Sequence, residues 1–181
     1  AWPPTYLVYD VFDAQAMADR LSHILMRNTD QANNMMLNLL DSHDTERFLT
    51  LAKKNGKDER SLLCSLAIMF FLPGMPCIYY GTEIGMEGGY DPDCRRTFDW
   101  NRKNWNMRVY ATVINLIRLR KCIKGDVTYS AGNGILLIGR GDLILAVNNG
   151  TEKRRTKILH KEYEIGPFEF IIINIKEGGV L

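Results

Sequence analysis

The pattern of apolar and polar positions divides the chain into a helix-rich part followed by a strand-rich part. Apolar residues recur at helical spacing over Ala14 to Arg27, behind a candidate N-cap at Asp13. A second helix is predicted from Glu59 to about Leu72, and it has so many apolar residues that we expect it to be buried. Pro73-Gly74 would end it. A third helix is predicted over Asn106 to Cys122.

Two short apolar runs flank the second helix. The runs Met35 to about Leu40 and Met75 to Tyr80 are typical of strands that are covered on both faces, as in a parallel sheet. The polar stretch from Asn28 to Asn34 predicts a loop. Because a helix connects the two runs, we expect a βαβ unit with parallel strands.

From Gly125 onward the period changes to that of strands. Turn signals such as Gly132-Asn133-Gly134 and Asn148-Asn149-Gly150 separate short β-type runs. The runs cover residues 127–130, 135–140, 143–147, 156–160 and 168–175. The predicted fold class is therefore α/β plus all-β, with residues 1–124 as an α/β unit and residues 125–181 as a small antiparallel β-sandwich.

Charge and composition exclude several function classes. The net charge of +2 is small and the basic residues are scattered, so no nucleic-acid partner is expected; the basic run 153–157 is interpreted as a solvated strand face. No stretch is long and apolar enough to predict a membrane span or a signal peptide. No cofactor is expected, and a reducing cytoplasm is the default location. The cysteines lie far apart without histidines at ligand spacing, so zinc is not expected either. They are Cys64, Cys77, Cys94 and Cys122.

The candidate site is the polar segment that follows the first strand, Asp41-Ser42-His43-Asp44-Thr45-Glu46-Arg47. In α/β architectures, ligands bind at the carboxyl ends of the strands. Ser42-His43-Asp44 cannot be a serine-hydrolase triad, because consecutive residues cannot align the three groups. A metal site at Asp41, His43 and Asp44 lacks the helical i, i+4 arrangement. A third possibility is that Asp44 only caps the next helical turn by accepting from the amides of Glu46 and Arg47.

A long glycine-rich loop, Glu83 to Lys103, follows the second strand. Loops of this length are usually functional or disordered. Trp100 and Trp105 argue against disorder.

These segments carry a resemblance to a known family. LLDSHDT from Leu39 to Thr45, continued by Glu46-Arg47, resembles the fourth characteristic region of the α-amylase family of glycoside hydrolases. FLPGMPCIYYGTEIGM from Phe71 to Met86 resembles that family's last barrel strand. GGYDPDCRR from Gly88 to Arg96, followed by Phe98-Asp99-Trp100, is similar to the cyclomaltodextrinase and neopullulanase branch.

The resemblance implies a (β/α)8 barrel and retaining hydrolysis of α-glucosidic bonds in maltooligosaccharides, cyclodextrins or related α-glucans. Residues 1–124 would then be the carboxyl-terminal part of the catalytic barrel, carrying its last two strands and their helices. Retaining enzymes need a nucleophile and a general acid/base. Neither of the strands that carry them in this family has a counterpart in the sequence. We therefore expect a carboxyl-terminal fragment that is inactive by itself.

The resemblance also implies a role for individual residues. Asp44 matches the family's third carboxylate, which accepts hydrogen bonds from hydroxyls of the sugar at the cleaved bond. His43 matches the imidazole that donates to the same sugar. Arg47 would reach a carboxylate or a neighbouring sugar, with a structural salt bridge as the alternative. Asp91 and Arg95 resemble residues that hold the next sugar.

Two other interpretations stay open. One is a non-catalytic carbohydrate-binding or interaction module. The other is a self-sufficient small hydrolase built on His43 and Asp44, for which the sequence offers no nucleophile. Because two strands cannot close a barrel, we also expect an exposed sheet edge and self-association of the fragment.

Overall fold

The computed structural model describes residues 13–181, and expectations for residues 1–12 lie outside the described part. The helices are α1 (Ala14–Met26), α2 (Asp30–Met35), α3 (Phe48–Lys54), α4 (Glu59–Phe71) and α5 (Met107–Arg120). The strands are β1 (Leu37–Leu39), β2 (Met75–Cys77), β3 (Val127–Gly132), β4 (Ile135–Arg140), β5 (Leu143–Asn148), β6 (Arg154–Ile158), β7 (Lys161–Ile165), β8 (Glu169–Asn174) and β9 (Gly179–Val180). No helix within this part of the chain is long and apolar enough to cross a membrane.

The first helix forms as its sequence predicts, and the loop predicted after it does not. The Asp13 carboxylate caps α1 by accepting from the amide of Ala16 at 2.7 Å. Residues 28–34, however, include most of α2. The Thr29 hydroxyl caps this helix, and Asn33 Nδ2 donates to the carbonyl of Leu25 at 3.0 Å. The sequence predicted a loop because this stretch is polar and has no apolar stripe. Side-chain hydrogen bonds stabilise α2 instead.

The βαβ unit is confirmed. Asp58 caps α4, every residue of α4 from Ser61 onward is buried, and β1 and β2 pair in parallel. The expectation that β1 is covered on both faces is wrong, because Leu37 is 59% and Leu39 38% exposed. Among the described residues this sheet has two strands.

The β region is a five-stranded antiparallel sheet with a hairpin on its outer face. The sheet order is β3-β4-β5-β8-β9, and β6 pairs with β7. Alternate residues of β4 point to opposite sides: Leu136 joins the core that contains α4, and Ile135 packs with Ile158 and Ile165 of the hairpin. The sequence pattern missed β7 because KEYEI is largely charged, and it extended β6 past its end at Ile158. It also missed the short β9.

Two arginines join the sheet to the helical part at the C-terminus of α4. Arg140 of β4 donates to the carbonyls of Phe71 (3.2 Å) and Leu72 (2.8 Å), and Arg120 of α5 donates to Leu72 at 3.0 Å. The last carbonyls of a helix have no partner within the helix, so these guanidinium groups satisfy acceptors that would otherwise be buried and unpaired. The core is therefore continuous across residue 124, where the domain boundary is predicted.

Replacing Arg140 should weaken the attachment of the β sheet to the C-terminus of α4. We expect Arg140→Met to lower the free energy of unfolding by about 1–3 kcal/mol, because it leaves carbonyls of α4 buried without donors. Chemical denaturation measures the change. Arg118→Met, at an exposed position of α5, is the control and should change the stability by less than about 0.5 kcal/mol. Equal losses in both variants would contradict this assignment.

Candidate functional site

Asp41 is the buried anchor of the segment that follows β1. It is 3% exposed, its Oδ1 accepts from the amide of Phe48 at 2.6 Å, and its Oδ2 accepts from the Thr82 hydroxyl at 2.6 Å. Phe48 begins α3 and Thr82 lies just after β2. One carboxylate thus ties together the chain segments after both strands. Sequence reasoning did not single out Thr82, although its position at the carboxyl end of β2 was a usable signal.

Burial also affects the pKa of Asp41. Removal from water raises the pKa of this carboxyl group above its usual value, and the bonds from Thr82 and Phe48 and the charge of Arg47 oppose the rise. Because the group is enclosed, a substrate cannot reach it. Its role is to hold the segment in place.

Asp44 has the opposite environment. Its side chain is 68% exposed, and Ser42 Oγ donates to its Oδ1 at 2.8 Å. This hydrogen bond, followed by the nearby His43 imidazole, lowers the pKa of Asp44. His43 Nδ1 lies 3.9 Å from Asp44 Oδ1, and the imidazole is equally exposed. Asp44 is therefore an ionised acceptor at the surface, beside a potential donor.

The contacts decide between the local alternatives. The Ser42 hydroxyl bonds to Asp44 and lies 2.9 Å from the Thr45 hydroxyl, so it is not aligned with the imidazole as a triad requires. The amide of Arg47 donates to the carbonyl of Gly88 and not to Asp44, and the carboxylate that binds the first amide of α3 is that of Asp41. The capping role considered for Asp44 is thus wrong, and Asp44 is left free to meet a ligand.

The loop after β2 brings two more predicted site residues to this segment. Arg95 Nη2 forms an ion pair with Asp91 Oδ1 at 2.5 Å, and both side chains are about half exposed. Arg95 Nε also donates to the carbonyl of His43 at 3.0 Å. The structure therefore groups Asp44, His43, Asp91 and Arg95 at one place, although they come from two separate segments.

Arg47 does not belong to this exposed group. It is fully buried, and its Nε and Nη1 donate to the carbonyls of Cys94 (3.1 Å) and Tyr80 (2.8 Å). Its guanidinium carbon lies 4.7 Å from the ring centroid of Tyr79 and 5.1 Å from that of Tyr80. The expected contact of Arg47 with a sugar stays a prediction that its burial does not favour, and among the described residues its side chain donates to carbonyls and forms no salt bridge. The cause is the loop after β2, which covers it.

The arrangement favours the binding of hydroxyl-rich ligands over proton transfer. An ionised carboxylate accepts from hydroxyls, and imidazole and guanidinium groups donate to them. A general acid needs a raised pKa, which Asp44 does not have, and Glu46 is buried against Lys54. Within residues 13–181, no group of three or more His, Cys, Asp or Glu side chains could hold a metal ion.

Comparisons with known proteins show which family the chain resembles. A family model described as "Alpha amylase, catalytic domain" matches residues 9–132. The chain is 45% identical over 116 residues to the intracellular maltogenic amylase of Bacillus subtilis, covering 64% of this chain and 19% of that protein. It is 39% identical over 146 residues to the cyclomaltodextrinase of Thermoanaerobacter pseudethanolicus, covering 76% of this chain and 25% of that protein.

A solved structure extends the likeness to the fold. The cyclic α-maltosyl-(1→6)-maltose hydrolase from Arthrobacter globiformis, in complex with maltose, superposes with a TM-score of 0.85 and 28% sequence identity. The match covers 94% of this chain and 42% of that chain. The chain spans between 19% and 25% of the length of the two curated relatives named above.

The raised pKa of Asp41 predicts a specific pH dependence. Because the folded state binds this proton more tightly than the unfolded state, the contribution of Asp41 to stability is complete below pH 3.8 and is lost as the pH rises toward the folded-state pKa. We therefore expect Asp41→Asn to become more stable relative to the parent protein as the pH rises through this window. Chemical denaturation at several pH values measures the difference. Asp126→Asn, at an exposed carboxylate, is the control, and a difference for Asp41→Asn that does not vary with pH would contradict the assignment.

Proposed function

This chain belongs to the α-amylase family of glycoside hydrolases, and from that premise we propose that it supplies part of the active site of a retaining enzyme acting on maltooligosaccharides or cyclodextrins. The observation that carries the proposal is the exposed, ionised Asp44, grouped with His43, Asp91 and Arg95. The printed activities of the maltogenic amylase and cyclomaltodextrinase relatives support this substrate class. The intracellular relative supports an intracellular location.

Each side chain has a role in this proposal. Asp44 accepts hydrogen bonds from hydroxyls of the sugar at the cleaved bond, and His43 donates to the same sugar. Bonds of this kind strengthen as the oxocarbenium-like transition state forms, so they increase the rate as well as the affinity. Asp91 and Arg95 hold the adjacent sugar. In the barrel that we propose, β1 and β2 are the last two strands and the β sheet forms the following domain.

The nucleophile and the general acid/base come from outside residues 13–181 in this proposal. Support comes from the carboxylates near Asp44: Asp41 and Glu46 are buried, and each is occupied by a partner. Asp44 itself has a lowered pKa, which suits an acceptor and not an acid. The other candidate is a non-catalytic carbohydrate-binding module, which the experiment below distinguishes.

The test uses the complete polypeptide encoded by the gene and, separately, residues 1–181. In the complete polypeptide we expect Asp44→Asn to lower kcat on maltotriose and γ-cyclodextrin by at least about 100-fold, because it removes an interaction that strengthens in the transition state. Asp142→Asn, in the turn between β4 and β5, is the control and should leave kcat unchanged.

Three results would change the proposal. Full activity of Asp44→Asn would contradict the role of this carboxylate. Turnover by residues 1–181 that disappears in Asp44→Asn would contradict the need for groups from elsewhere. Micromolar binding of cyclodextrin by residues 1–181, together with an inactive complete polypeptide, would favour the binding module.

We also propose that residues 1–181 self-associate in isolation through β1 and β2. Leu37 is 59% and Met75 49% exposed on a two-stranded parallel sheet, and apolar strands exposed at an edge promote association. Sedimentation velocity should show a sedimentation coefficient that rises with concentration, and Leu37→Lys should reduce the rise. Leu159→Lys, at an equally exposed residue between β6 and β7, should not. A monomer at all concentrations would contradict this proposal.

A further inference from the structure

Arg47 is a buried cation that no carboxylate neutralises directly among the described residues. Its polar contacts run to main-chain carbonyls, and its Nη2 has no hydrogen-bond partner in residues 13–181. Burial of an unpaired charge is costly, and arginine is seldom buried without an ionic partner. An apolar side chain of similar length would fill the space without this cost. The guanidinium must therefore serve something other than packing.

The contacts of Arg47 follow the loop that leads out of β2. Its side chain binds the carbonyl of Tyr80 at the start of this loop and that of Cys94 in the turn Asp93–Arg95. Its main-chain amide donates to the carbonyl of Gly88 at 3.0 Å, between these two points. A single residue thus fixes the loop at three positions. Arginine suits this task because its planar fork can donate to two acceptors at once, which a lysine ammonium does with less geometric definition.

The turn Asp93–Arg95 also binds the candidate-site segment at His43. The carbonyl of His43 accepts from Cys94 Sγ and from Arg95 Nε, both at 3.0 Å. Residues 43–47 are therefore attached to the turn at both ends, and Asp44 lies between the two attachments. Asp91, which pairs with Arg95, is connected to the same turn.

We propose that Arg47 is a positioning residue that sets the location of Asp44 and His43 relative to Asp91 and Arg95. The connection between the two segments rests on the contacts above. Its effect on substrate rests on the proposed function, in which these pairs bind adjacent sugars. Small displacements of such groups cost rate, because the bound geometry has to match the transition state.

The first experiment tests the connection in residues 1–181 and needs no activity. Cys94 is fully buried, so its alkylation by iodoacetamide reports the opening of the turn. We expect Arg47→Met to raise the alkylation rate of Cys94 at least about tenfold, as resolved by mass spectrometry. Cys64, also buried, is the internal control, because burial raises the pKa of its thiol to about 12 and it should react only on global unfolding.

Arg120→Met is the matched control variant. Arg120 also donates to several main-chain carbonyls, but at the C-terminus of α4, so its loss should leave the alkylation of Cys94 unchanged. Arg47→Lys should give an intermediate rate, and it replaces Arg47→Met if that variant does not fold. An unchanged Cys94 rate in folded Arg47 variants would overturn the proposal, as would an equal rise in Arg120→Met.

The second experiment is a double-mutant cycle on kcat/KM in the complete polypeptide. If Arg47 aligns the two sugar sites, the effects of Arg47→Lys and Asp91→Ala should combine to less than their product, because the contacts of Asp91 lose value once the alignment is lost. Arg120→Met and Asp91→Ala should combine multiplicatively. Independent effects of Arg47→Lys and Asp91→Ala would overturn the positioning role. An inactive parent polypeptide would contradict the proposed function. The alkylation experiment alone would then test whether Arg47 connects the two segments.

Discussion

The buried carboxylate of Asp41 and the buried guanidinium of Arg47 are the constraint on which the site depends. Asp41 accepts from the start of α3 and from Thr82 after β2, and Arg47 donates to Tyr80 and Cys94 in the loop beyond. Strands only three residues long, such as β1 and β2, cannot by themselves orient the segments that follow them. Buried polar groups orient these segments, because a buried donor or acceptor that loses its partner costs free energy.

The same few residues show how environment divides the roles of identical side chains. Burial raises the pKa of Asp41, and a hydrogen bond from Ser42 lowers the pKa of Asp44 at the surface. The first carboxylate is therefore structural and the second is available to a ligand. Arginines divide in the same way: Arg47 lies beneath the loop, and Arg95 is about half exposed beside Asp91.

Sequence reasoning succeeded where a pattern reports burial or a local cap, and it failed where a partner is distant. The apolar density of α4 predicted that helix almost to the residue, and the family that the motifs predicted was confirmed by the family-model match. The pattern missed α2, whose Asn33 bonds back to α1. It also did not predict the burial of Arg47, because residue type does not reveal which backbone covers a side chain. Cys94 gave no signal, since its role depends on a turn packed against His43.

A crystal structure of the complete polypeptide with a bound maltooligosaccharide-type inhibitor would test the central claim most directly. The account predicts that Asp44 and His43 bind the same sugar ring, that Asp91 and Arg95 bind the next one, and that Arg47 stays buried on the carbonyls of Tyr80 and Cys94. An inhibitor bound in the active site without contact to Asp44, or an Arg47 side chain turned toward the sugar, would contradict it.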